Sequence, residues 1–255
     1  MGDPSTYHFD LDPTARPAFA PLEERWWPGI RDAALKASSA RIYDAILGVR
    51  AIVIHATAGG SSAGAASVIF DRRASFHWLV PDEDEPQHGQ FVWATCHEAR
   101  AAWHVRNACC NSMLWDGRGR INHWSLGVEV VNRQVRSDAF SDWQVEATAQ
   151  LVRYAWAKYP NLRHVVSHAM LDPARRSDPG SLFPWERFKA AVLDRREERV
   201  PELVAGAVEM KAVMPSAPFC MMVLSTDRFT RTGVANAVEK PSCLSGDLLD
   251  PRRRA

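Results

Sequence analysis

The sequence has little cysteine, no long apolar run and almost no net charge. Five cysteines in 255 residues, an odd number at irregular spacings, do not make a disulfide framework. No stretch reaches the roughly 18 to 20 apolar residues of a membrane-spanning helix. A formal net charge of +1 gives no electrostatic footing for nucleic acid, and Arg252-Arg253-Arg254 is only a short basic run. Residues 1–17 are polar and acidic and lack the apolar centre of a secretory signal. No internal repeat is visible. The expectation is a cytoplasmic protein with no membrane span and no nucleic-acid partner.

What is present is a globular composition, 46% hydrophobic and 24% charged, over a length that can bury one full core. Residues 1–29 carry five prolines and the pair Trp26-Trp27, and read as an irregular arm. An imperfect helical period follows over 30–46, with Ile30, Ala34, Leu35, Ile42 and Ile46 as its apolar members. Val49 to His55 is a β-branched run expected as a buried strand. After Gly59-Gly60 an Ala-rich helix is expected through Arg73, then strands over 75–80, 90–95 and 126–131. The firmest helix runs from Ser141 to Tyr159. Ser141 and Gln144 have capping-box spacing, and Val145, Ala149, Val152 and Trp156 mark one face. A short strand at 164–168 and a helix opening at Pro184 complete the series. Strands alternating with helices give an α/β class, a central mixed β-sheet flanked by helices. The division expected is an arm and helix over 1–48, a catalytic domain over 49–200 and an extension over 201–255.

Four residues carry the chemistry. His55 ends its strand, Glu129 sits on an otherwise apolar one, and His168 and Asp178 bracket a loop that turns at Pro179-Gly180. Two imidazoles and a carboxylate make a zinc site with one open position, and a second carboxylate can move protons. Each has a plainer reading alone. A histidine after an apolar strand is more often a hydrogen-bonded core residue, a lone glutamate can be salt-bridged, and aspartate before proline is commonly a turn residue. Spacing does not bring the four together.

An ordered set of strings does. Ile52-Val53-Ile54-His55, Ser75-Phe76-His77-Trp78-Leu79-Val80, Ala102-Trp103-His104, Asn122 with Ser125-Leu126-Gly127-Val128-Glu129, and His168 with Asp178-Pro179-Gly180 resemble the zinc-dependent N-acetylmuramoyl-L-alanine amidases of the type-2 family. Those enzymes are relatives of the peptidoglycan recognition proteins. The resemblance runs from about residue 49 to 192. It implies an amidase-like fold, Zn2+ on His55, His168 and Asp178, Glu129 as the proton-transfer group, and Arg176 as oxyanion stabiliser. It also implies a muropeptide or peptidoglycan substrate, with Trp103 and His104 on a cleft loop as its contacts, although Trp103 reads equally as a packed loop anchor. The implied reaction is hydrolysis of the amide between N-acetylmuramic acid and L-alanine, as in the recycling of anhydro-muropeptides. One departure stands out: recycling amidases typically carry lysine at the position of Arg176, and arginine is a broader, planar cation. A peptidoglycan-binding module with little catalysis and a phage-type lysin are the rival readings. Cys96-His97 with Cys109-Cys110 does not match a zinc spacing. His77 reads equally as support for the metal site or as a buried strand residue.

Overall fold

A computed structural model describes residues 2–106, 114 and 118–194. The segment 201–255 and Cys109-Cys110 lie outside the described residues. The strands are β1 (His8–Asp10), β2 (Glu24–Trp26), β3 (Ser38–Ala40), β4 (Ala51–Ala56), β5 (Trp78–Val80), β6 (Val92–Ala94), β7 (Arg100–Ala102), β8 (Ser125–Val130) and β9 (His164–Ser167). The helices are α1 (Ile30–Lys36), α2 (Ser62–Phe70), α3 (Asp142–Lys158), the single turn α4 (His168–Leu171) and α5 (Trp185–Leu193).

Seven strands form one mixed sheet in the order β1-β9-β4-β8-β5-β6-β2. The inner strands β9, β4, β8 and β5 are parallel, β1 and β6 run antiparallel to their inner neighbours, and β2 pairs parallel with β6. All six residues of β4 are buried, as a strand covered on both faces requires. On one face Ile52, Ile54, Leu126, Val128 and Val130 share a core with Val145, Ala149, Val152 and Trp156 of α3 and Phe188 and Val192 of α5. Helix α3 begins as its sequence dictates. Gln144 N–H donates to Ser141 Oγ and Ser141 N–H to Gln144 Oε1, each at 3.1 Å, so two otherwise orphaned amides are satisfied. The opposite face is covered in two patches. Ala65, Ala66 and Ile69 of α2 pack with Leu79 and Val131, and Val53 and Val166 pack with Ile121, Trp124 and Met170.

Two expectations are corrected. The period over 30–46 forms a helix only to Lys36. Ser38 Oγ then donates to the Ala34 carbonyl at 2.5 Å, the chain turns into β3 beside β7, and Ile42 and Ile46 are exposed, so no core rewards a longer helix. The N-terminal arm is not irregular throughout, because it supplies both edges of the sheet, β1 and β2. Its grip on β9 is close. Ser167 N–H donates to the Tyr7 carbonyl at 3.0 Å, Leu11 N–H to the Arg163 carbonyl at 2.7 Å, and Ser167 Oγ to the Pro4 carbonyl at 2.6 Å.

Candidate active site

The register of the central strands sets the site. On β4 and β8, Ala51 lies opposite Ser125, Val53 opposite Gly127 and His55 opposite Glu129. Alternate residues share a face, so these side chains leave the sheet away from the core under α3. On the other side of β4, β9 ends at Ser167, whose Oγ accepts from Met170 N–H at 2.9 Å and caps α4. His168 opens that turn. Ala169 N–H then donates to the Asp178 carbonyl at 2.9 Å, which returns Asp178 to the side of His168.

His55, His168 and Asp178 therefore meet. His55 Nδ1 is 2.9 Å from His168 Nδ1 and 3.2 Å from Asp178 Oδ2, and His168 Nδ1 is 3.0 Å from the same oxygen. All three residues are buried. Lone pairs converging this closely repel unless a proton or a cation lies among them. A circle through the three atoms has a radius of about 1.8 Å, within the zinc–nitrogen length of about 2.0–2.1 Å, so the three donors are spaced closely enough for a single ion. Two imidazole nitrogens and one carboxylate oxygen are also a donor set that zinc accepts while keeping a further position open. The residues fit the metal.

The trio borders an open cavity of about 510 Å³ whose lining includes His104, Glu129, Gln134, Arg175 and Arg176. Burial pushes the Glu129 carboxyl well above its ordinary value, the Asp178 charge adds to that, and the Arg176 charge opposes it. Burial acts the same way on Asp178, but the adjoining His168 and His55 rings prevail and hold it well below the usual carboxylate range. Burial, with His168 as a like-charged neighbour, lowers His55 to about 4. Two carboxylates in one cavity are thus driven apart, one toward the proton-bearing state and one toward the charged state, as a division of labour needs. Arg176 is exposed and stands at the rim.

Trp103 and His104 have different fates. Trp103 is not among the lining residues; its indole N–H donates to Ser39 Oγ at 2.9 Å. His104 does line the cavity, but it is buried and both of its nitrogens are engaged by protein. Nδ1 is 3.0 Å from His55 Nε2 and Nε2 is 3.1 Å from Ser125 Oγ. Burial, then the neighbouring His55 and His77, hold its ring neutral. His77 turns out to serve the strands: its Nδ1 accepts from Gly127 N–H at 2.9 Å and its Nε2 donates to the Arg100 carbonyl at 3.1 Å. Ser125 and Gly127 stood in the sequence string without a role, although their even spacing from Glu129, four and two residues, already put them on its face. Gln134, held at a φ of 60°, carried no signal.

A second trio, His8, Asp10 and His164, sits at the sheet edge. Asp10 Oδ1 lies 2.9 Å from His8 Nε2 and 2.7 Å from His164 Nδ1. One carboxylate oxygen serves both rings, and Asp10 is 65% exposed, so this is a cross-strand bridge complete without an ion.

Fold and site together define a class. Residues 46–181, more than half of the chain, match the family described as N-acetylmuramoyl-L-alanine amidase, and the chain belongs to that family. Among individual relatives, it is 32% identical over 149 residues to the N-acetylmuramoyl-L-alanine amidase AmiD of Escherichia coli, covering 55% of this chain and 52% of that protein. It is 33% identical over 121 residues to the 1,6-anhydro-N-acetylmuramyl-L-alanine amidase AmpD of Salmonella typhimurium, covering 47% of this chain and 58% of that one. The chain thus spans about half the length of the curated relatives it matches. The crystal structure of AmpDh3 from Pseudomonas aeruginosa superposes with a TM-score of 0.50 at 28% identity, over 57% of this chain and 60% of that one. The same protein has been solved in complex with anhydromuramic pentapeptide. The amidase fold implied by the sequence is the fold observed. No helix among the described residues is long and apolar enough to cross a membrane.

Proposed function

We propose that this chain hydrolyses the amide between the lactyl group of N-acetylmuramic acid and L-alanine, with soluble anhydro-muropeptides as its substrate. The reading rests above all on one observation: His55, His168 and Asp178 converge to within 3.2 Å of one another in the cavity that Glu129 also lines. Zinc held by the trio supplies a Lewis acid and lowers the pKa of a water toward about 7. Glu129, beside His55 in the register, takes a proton in the attack and returns it to the leaving amine. Arg176 brings a fixed positive charge to the carbonyl oxygen as it becomes negative. Asp178, already ionised, stays a ligand rather than a base. A cytoplasmic place of action belongs to the same proposal, and cell fractionation checks it.

The test is incubation of the zinc-supplied protein with anhydro-muropeptides and, separately, with intact sacculi, followed by mass spectrometry. The expected products are the free L-alanyl peptide and the anhydro-sugar, with the soluble substrate strongly preferred. Preference for sacculi would point to a lytic enzyme. Binding without cleavage at any pH from 6 to 9 would leave a recognition module and overturn the reading.

A further inference from the structure

His104 looks like a substrate contact in the sequence, yet five separate features immobilise it against protein. Its chain neighbours are clamped on both sides. Trp103 N–H donates to Ser75 Oγ at 2.7 Å, and Ser75 Oγ in turn donates to the Ala37 carbonyl at 2.6 Å. Val105 is paired by one amide group, Asn122, whose Oδ1 accepts from Val105 N–H at 2.9 Å and whose Nδ2 donates to the Val105 carbonyl at 2.6 Å. The ring lies over Gly127, where an added Cβ would stand 2.7 Å from His104 Cγ and 2.8 Å from its Nδ1. Glycine leaves the room the ring occupies. The last two features are the bonds to Ser125 and His55.

Those bonds have a direction. Ser125 Oγ is 2.8 Å from the Ile121 carbonyl oxygen. A carbonyl only accepts, so the single hydroxyl hydrogen is spent there. Ser125 Oγ then accepts from His104 Nε2, which leaves His104 Nδ1 bare on the neutral ring. That nitrogen accepts from His55 Nε2–H, and the proton on Nε2 leaves Nδ1 of His55 with its lone pair free. This is the atom that points at His168 and Asp178.

We infer that His104 is a positioning residue: with Ser125 and the Ile121 carbonyl it fixes the tautomer and angle of His55, and Gly127 exists to seat it. The inference rests on the metal-site reading and deepens it. The ring nitrogen of a ligating histidine that does not face the metal usually donates to a carboxylate, carbonyl or water. Here a second histidine takes that proton and passes the orientation back to a backbone carbonyl.

Three variants and two measurements test this. In metal-free protein, long-range nitrogen–proton NMR should show His55 protonated at Nε2 and bare at Nδ1. His104→Phe keeps a ring but no acceptor; it should scramble that tautomer and weaken zinc binding, read by competition with a chelating indicator, by about 10- to 100-fold. Ser125→Ala should do so more mildly, and it carries the test if the phenylalanine variant does not fold. His104→Asn, which keeps an acceptor near the position of Nδ1, should recover most of the affinity. A folded His104→Phe or Ser125→Ala protein with unchanged tautomer and zinc affinity overturns the inference, as does Nδ1–H on His55 in the parent. If the parent binds no zinc, the metal reading falls, while the NMR assignment still decides the orienting role.

Discussion

Glu129 stands opposite His55 in the parallel register of β8 on β4. Neighbouring strands lie about 4.8 Å apart, so the pairing puts a carboxyl group one strand away from the imidazole proposed as a metal ligand, without any loop to hold it. A carboxyl group placed this way is as rigid as the sheet.

Replacing Glu129 by glutamine should therefore separate metal binding from turnover. Zinc content is expected to stay at the parent level, because Glu129 is not one of the three converging donors. Turnover should fall by about 10²- to 10⁴-fold, the usual worth of general acid–base catalysis. Paired metal analysis and steady-state kinetics check both halves, and near-parental turnover would remove Glu129 from the chemistry.

Arg176 allows a graded test. Truncation to alanine should lower kcat by about 10²-fold, as loss of one oxyanion-stabilising group does, with zinc affinity little changed. Arg176→Lys keeps the charge on a narrower head and should recover kcat to within about tenfold of the parent. Equal losses in both variants would mean that the planar guanidinium, rather than its charge, is what the site uses.

Metal stoichiometry discriminates the two histidine–aspartate trios. Zinc is expected to bind at one per chain and to raise Tm, since a ligand that binds only the folded state stabilises it. Asp178→Ala should abolish both effects, whereas His164→Ala at the sheet edge should leave them intact. A zinc count that follows His164 instead would shift the metal to the outer trio.

Acidification should destabilise the metal-free fold through its buried histidines. Burial, reinforced by the Arg41 charge, lowers His77 to about 3 from 6.5. An unfolded His77 regains its ordinary value, so between those limits the unfolded state holds the extra proton and stability declines as pH falls from about 6.5 toward 3. Removing this titration with His77→Gln should flatten the dependence between pH 6.5 and 4 by on the order of 3 kcal/mol. Urea unfolding at a series of pH values gives the comparison, and parallel curves would contradict it.

The central part of this architecture was legible from local pattern. The β-branched run ending at His55, the capping box at Ser141 and Gln144, and the apolar face of α3 each encode their structure within a few residues. The short edge strands were not legible. Three-residue β1 and β2 leave no period to read, and they exist because β9 and β6 offer them partners. The site was readable as a set of residues but not as a division of roles. Periodicity put Glu129 on a face with Gly127, but nothing local marked His104 as held against His55, because the room for its ring depends on a glycine 23 positions away.

The bonds from Pro4, Tyr7 and Leu11 to the strand before His168 bear on where this protein can be cut. A fragment trimmed to the matched span 46–181 would strip β1 from β9 and leave that strand's amides and carbonyls bare. Such an edge is a template for pairing with other chains. The shortest stable unit is therefore expected to be longer at its N-terminus than the matched span, and over-trimming invites aggregation at the very strand that leads into His168.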